Sequence, residues 1–149
     1  MQGLRSFMYG KIHRVRVTEC NLDYIGSITI DPVLLSAAGI YPNTLVDVVN
    51  VTNGNRIQTY VIEGRPGSGD ICVNGAAAHQ FQAEDLAIIM GYEFVREAEL
   101  TGRISRAVMV DAHNVIQEVR TFETPSLQSL GQPQNNRYAD PYPYSDNEA

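Results

Sequence analysis

One dipeptide in this chain has the residue types that backbone self-cleavage would need. Gly26-Ser27 sits inside Tyr24-Ile25-Gly26-Ser27-Ile28-Thr29. Glycine reaches backbone angles that other residues avoid and leaves its carbonyl open to attack. The Ser27 hydroxyl lies one residue from that carbonyl. In a strained backbone it can attack Gly26 and turn the amide into an ester. β-Elimination of the ester would cut the chain and leave dehydroalanine, whose hydrolysis leaves an N-terminal pyruvoyl group. Spacing alone is a weak signal, because Gly67-Ser68 repeats the dipeptide inside loop material. Taken by itself, Gly26-Ser27 reads as an ordinary turn.

Composition narrows the chemistry. Ten of the eleven basic residues are arginine, and Lys11 is the only lysine. Pyridoxal-phosphate enzymes hold their cofactor through a lysine imine. Only Lys11 could do that here, so carbonyl–amine chemistry points to another carbonyl source. Cys20 and Cys72 make neither a disulfide framework nor a metal cluster, and both read as packing residues. His13, His79 and His113 lack metal-ligand spacing, so no metal is expected. Glu93, Glu97 and Glu99 read as a solvated run. A net charge of −6 argues against nonspecific binding to nucleic acid or an anionic membrane. The longest apolar run, near Leu86 to Met90, is far short of the roughly 18–20 residues that span a bilayer. Met1 to Arg14 has no apolar signal-peptide segment. A cytoplasmic protein is the expectation.

The chain has 149 residues, 44% of them hydrophobic, enough for one core. Lys11 to Thr18 alternates as a half-buried strand with one slip in phase. Ile28 and Ile30 mark a second strand. Asp31 and Pro32 suit the N-cap and first position of a short helix that Gly39 closes. Leu45 to Val51 and Arg56 to Ile62 flank Asn53-Gly54, a hairpin signal. Gly64 to Gly69 reads as a loop, Ile71 to Val73 as a strand, and Ala76 to Ala78 as a helical turn. Leu86 to Phe94 reads as a strand bulged at Gly91. Ser105 to Val110 and Val115 to Arg120 form a second hairpin. The pattern predicts an all-β fold, a small β-barrel with short helices. The core domain spans residues 1–123. A Pro-rich tail, residues 124–149, holds four of the seven prolines and is expected to be flexible, although its tyrosines could dock on a neighbour.

The motifs then occur in a telling order: Lys11-Ile12-His13-Arg14, Tyr24-Ile25-Gly26-Ser27, Asn50-Val51-Thr52-Asn53-Gly54, Arg56, Thr59-Tyr60 and Asn74-Gly75-Ala76-Ala77-Ala78. From about Lys11 to Tyr92, with a weaker echo at Val108 to Val119, this resembles the aspartate decarboxylases. That pyruvoyl-dependent family makes β-alanine for pantothenate. Gln80 to Glu84, Arg96 to Arg103 and the tail match poorly. The resemblance implies a double-psi β-barrel, a homotetramer with active sites between subunits, and self-cleavage between Gly26 and Ser27. Ser27 would become the covalent pyruvoyl cofactor, which forms a Schiff base with L-aspartate. In some members a maturation helper protein is needed.

The resemblance also implies roles. Tyr24 belongs to the processing motif, and Thr59 serves both processing and substrate binding. Tyr60 is the proton donor. Asn74 is a hydrogen-bond partner on the pyruvoyl side, and Gly75, Ala76 and Ala77 form the substrate loop. The residues add their own reading. Aspartate brings two carboxylates, and a guanidinium pairs bidentately with one. Arg56 is the best candidate, although a hairpin arginine is ordinarily just exposed. Lys11 and His13, two apart on a strand, face one side and could supplement it. Thr59 and Tyr60 project to opposite faces of a regular strand. Their joint use needs a bend, or the sites of different subunits. The rival readings are a noncatalytic barrel of the same fold and a pyruvoyl decarboxylase for another amino acid.

Overall fold

The structure is a computed structural model and describes residues 3–132. Its strands are β1 (Leu4–Arg16), β2 (Glu19–Asn21), β3 (Ile28–Ile30), β4 (Leu45–Asn50), β5 (Arg56–Glu63), β6 (Ile71–Asn74), β7 (Leu86–Arg96), β8 (Ile104–Val110) and β9 (Ile116–Glu123). One helix, α1 (Pro32–Ala38), and short 3-10 helices, including Gly75–Gln80, complete the described residues. The hydrogen-bonded order is β2-β6-β3-β5-β4-β7-β1-β8-β9. The all-β expectation holds. The ladders leave β2 and β9 as the ends of this order, so hydrogen bonds among the described residues do not draw a closed barrel.

Local patterning explains the elements. β4 buries Val46 and Val48 and turns the residues between them outward, the two-residue period of a strand with one covered face. Ile28 of β3 pairs with Val61 of β5, and Ile28 and Ile30 pair with Val73 and Ile71 of β6. With Ile12, Val15, Ile89 and Val108 they make the core. The β4–β5 and β8–β9 hairpins are antiparallel. The β1–β8, β2–β6 and β3–β5 pairs are parallel, and parallel neighbours require long crossovers. Asp31 caps α1, accepting from the Val33 N–H at 2.9 Å, and Gly39 ends it at φ +76°. Asp31 also accepts from Gly67 N–H and Gly69 N–H. One buried carboxylate thus fixes both a helix start and the loop before β6.

Three expectations need correction. β1 begins at Leu4, not Lys11, because residues 4–8 pair with the far end of β7. That half of the strand is exposed or half-exposed and shows no clean alternation. The bulge lies on β1, not at Gly91. Met8 pairs with Tyr92 and Gly10 with Gly91, leaving Tyr9 as the extra residue. Tyr9 places its ring where a Gly91 side chain would be. The three-residue strand β2 was not expected at all. Beyond β9, Thr124 is tied to Arg103 through its N–H and its hydroxyl, and a 3-10 turn follows at Leu127–Ser129. The rest of the expected tail, from residue 133, lies outside the described residues.

Candidate active site

Gly26 has φ +144°, where L side chains rarely go. A Cβ on it would meet Ile62 Cδ1 at 2.8 Å and lie 3.7 Å from the Tyr24 ring. The carbonyl oxygen of Gly26 faces Gly75, 3.2 Å from where a Gly75 side chain would start. Two glycines therefore let the chain pass itself at the bond that Ser27 would attack. On the other side of that bond, the Ser27 carbonyl accepts from Asn74 N–H at 3.0 Å. Asn74 is buried, and its Nδ2 donates to Thr29 Oγ1 at 3.0 Å. The Asn74 side chain does not cap the 3-10 helix that it precedes. Ala76 is exposed and Ala77 half-buried on the first turn of that helix.

β5 is regular, and it separates its candidates. Arg56, Gln58 and Tyr60 are exposed on one face, while Ile57 and Thr59 are half-buried on the other. Ile28 pairs with Val61 in the parallel β3–β5 ladder. The ladder begins there, one residue after Ser27, and Gly26 meets β5 at Ile62, whose Cδ1 lies 2.8 Å from where a Gly26 side chain would start. Arg56 Nη1 pairs with Asp47 Oδ2 at 3.0 Å, and Asp47 is mostly covered. That bond orients the guanidinium on its exposed face.

Lys11 and His13 lie farther away on β1. Lys11 pairs with Met90, Met90 with Asp47, and Asp47 with Gln58. Paired residues share a face, so Lys11 is on the same side as Arg56 and Tyr60. It is three strands away, about 14 Å along the rung. Both residues are largely buried, Lys11 at 9% and His13 at 6% exposure. Burial, with the positive charges of Lys11 and Arg14, lowers the His13 pKa to about 4. At neutral pH His13 offers hydrogen bonds, not the positive charge that its proximity to Lys11 suggested.

The structure thus gathers Tyr24, Gly26, Ser27, Asn74 and Gly75 at one point. It sets Arg56 and Tyr60 on the exposed face of β5 and places Lys11 and His13 on β1, three strands from β5 in the order. Sequence reasoning missed Thr29, Ile62 and Asp47. Thr29 stood within the cut-site motif, but its partner is 45 residues away and nothing local reveals it.

Residues 3–117 match the family model for aspartate decarboxylase. The aspartate 1-decarboxylase of Neisseria meningitidis is 49% identical over 121 residues, 81% of this chain and 95% of its own. That of Anoxybacillus flavithermus is 49% identical over 115 residues, 77% of this chain and 91% of its own. That of Crocosphaera subtropica is 50% identical over 118 residues, 78% of each chain. The match covers every strand from β1 into β9, with Gly26, Gly75 and the β5 face inside it, and the chain belongs to the aspartate decarboxylase family.

Proposed function

We propose that this chain cuts itself between Gly26 and Ser27 and then decarboxylates L-aspartate to β-alanine and CO2, the step that feeds pantothenate synthesis. The observation that carries the reading is the open Gly26 carbonyl, at φ +144° and against Gly75, one residue before a serine whose own carbonyl is held by Asn74. Ser27 Oγ adds to the Gly26 carbonyl carbon, and the C–N bond breaks to give an ester. Removal of the Ser27 Cα proton expels the Gly26 carboxylate and leaves dehydroalanine. Water replaces its nitrogen as ammonia leaves, giving the pyruvoyl end. The Asn74 N–H on the Ser27 carbonyl supports the second step, because it stabilises negative charge that spreads from Cα onto that oxygen. Thr59, half-buried on β5, would donate to the oxyanion of the first step.

The pyruvoyl group supplies a ketone that takes the substrate amine and accepts electrons as CO2 leaves. The surroundings fit such a group: Ser27 is half-buried, its carbonyl is pinned, and small residues adjoin it. Arg56 holds one carboxylate of aspartate, and Lys11 adds positive charge. The N–H groups at Gly75, Ala76 and Ala77, which open a helix and so lack a carbonyl of their own helix to bond, receive the other carboxylate. Tyr60 delivers a proton to the carbon that lost CO2. Tyr60 is 57% exposed and Lys11 lies across the sheet, so a complete site draws residues from two subunits. That supports a homotetramer with sites between subunits. Maturation either proceeds unaided or uses a helper protein.

The test has two parts. After incubation, mass measurement under denaturing conditions gives two fragments, Met1–Gly26 and a pyruvoyl-blocked chain ending at Ala149. The cut protein then releases CO2 from aspartate faster than from glutamate. One uncut and inert chain would favour the noncatalytic barrel. Equal or faster turnover of glutamate would favour a different substrate.

A further inference from the structure

Three asparagine side chains converge on one carbonyl. The Nδ2 groups of Asn50, Asn53 and Asn55 donate to the Gln80 carbonyl oxygen at 3.2, 3.1 and 3.4 Å. A carbonyl oxygen has two lone pairs, so three donors exceed what satisfying the end of a helix requires. The asparagines are themselves fixed. Asn50 Oδ1 accepts from Thr52 N–H and Asn53 N–H, and Asn53 Oδ1 accepts from Asn55 N–H. Asn50 Nδ2 also donates to Asp85 Oδ2 at 2.8 Å. The same Asp85 oxygen takes Gln82 N–H at 2.9 Å. The knot therefore grips the chain on both sides of Phe81.

Its two ends matter. Gln80 is the last residue of the 3-10 helix Gly75–Gln80, whose first residue lies against the Gly26 carbonyl. Asn55 is followed directly by Arg56, the first residue of β5. One end of this short helix is thus tied to the cut site and the other to the loop that delivers Arg56. We propose that the Asn50–Asn53–Asn55 knot on Gln80 fixes the distance between Arg56 and the Gly75–Ala77 turn. It thereby sets the separation of the two elements that hold the substrate carboxylates. Asn53 and Asn55 are positioning residues that touch neither substrate nor pyruvoyl group. The proposal rests on the reading of the function given above.

The test uses the full-length protein. Asn53 is exposed and Asn55 half-buried, so the double variant Asn53→Ala/Asn55→Ala leaves the buried Asn50 to hold the hairpin. Cleavage at Gly26–Ser27 should proceed at the wild-type rate. The KM for aspartate should rise about fivefold or more, with kcat within about twofold. The amides of residues 76–80 should exchange hydrogen faster, read in an uncut Ser27→Ala background where no turnover is needed. Asn53→Asp keeps the acceptor for Asn55 N–H but removes the donor to Gln80, and it should reproduce both changes. Wild-type KM together with wild-type exchange in both variants would overturn the knot's role. Loss of kcat and KM alike, with a collapsed melting temperature in both, would overturn it in favour of plain structural support. A wild-type protein inert toward aspartate would sink the underlying function, while the exchange result would still decide whether the knot holds the turn.

Discussion

The carbonyl oxygen of Gly26 lies 3.2 Å from the point where a side chain on Gly75 would begin. During attack by Ser27 that carbon becomes tetrahedral and its oxygen must move. A methyl group at residue 75 would crowd the oxygen at that moment. Gly75 also has φ +65°, so alanine there costs roughly 1–2 kcal/mol of backbone strain. Gly75→Ala should fold with a lowered melting temperature and cut at least about tenfold more slowly. The time course of two-fragment product, followed by mass under denaturing conditions, checks this. A wild-type half-time would mean that the close approach plays no part in cleavage.

Ser27→Ala removes the only oxygen placed to attack Gly26 from the next residue. The Asn74 N–H contact to residue 27 is a backbone bond and survives the change. The variant should therefore fold normally, remain one chain and release no CO2 from aspartate. Any two-chain product from it would remove Ser27 from the cutting step.

What the sequence revealed was local. Asp31, Pro32 and Gly39 declared helix α1, because capping chemistry is decided within a few residues. Asn53-Gly54 marked the β4–β5 hairpin, although the loop is longer than two residues: Asn50 N–H bonds the Asn55 carbonyl, and Gly54 N–H bonds that of Asn50. The Tyr9 bulge was invisible, since register depends on the partner strand and not on the strand itself. The same holds for the pairing of Arg56 with Asp47 and of Asn74 with Thr29. The three-asparagine contact on Gln80 falls in a stretch that matches the family poorly. Its acceptor is a backbone carbonyl, which every residue type supplies. The opposite faces of Thr59 and Tyr60 were legible, because alternation in a regular strand is geometry alone.

Tyr60 projects from the exposed face of β5, on the same side as Arg56. The bond that pins the Ser27 carbonyl comes from the Asn74 backbone N–H and does not involve the Tyr60 phenol. Tyr60→Phe should therefore still be cut at Gly26–Ser27. Decarboxylation should slow by about 100-fold or more, the usual scale for loss of a general acid, while KM changes little. Steady-state kinetics on protein shown to be fully cut would check this. Full kcat in Tyr60→Phe would assign the proton to another group.

His13 links stability to pH. Its pKa in the fold is about 4, lowered from the ordinary 6.5 chiefly by burial and further by Lys11 and Arg14. Between those values the unfolded chain takes up a proton that the folded chain resists. The stability that His13 permits is complete above about pH 6.5 and is lost as pH falls toward 4. Melting temperatures from pH 7.5 to 4.5, at one protein concentration, should fall more steeply for wild type than for His13→Gln, which carries no titrating group. His13→Gln is expected to be less stable at pH 7.5, since it replaces a packed ring, so the comparison rests on slope and not on height. Parallel profiles would mean that the fold leaves the His13 pKa at its unfolded value, and that burial beside Lys11 and Arg14 does not hold the ring neutral.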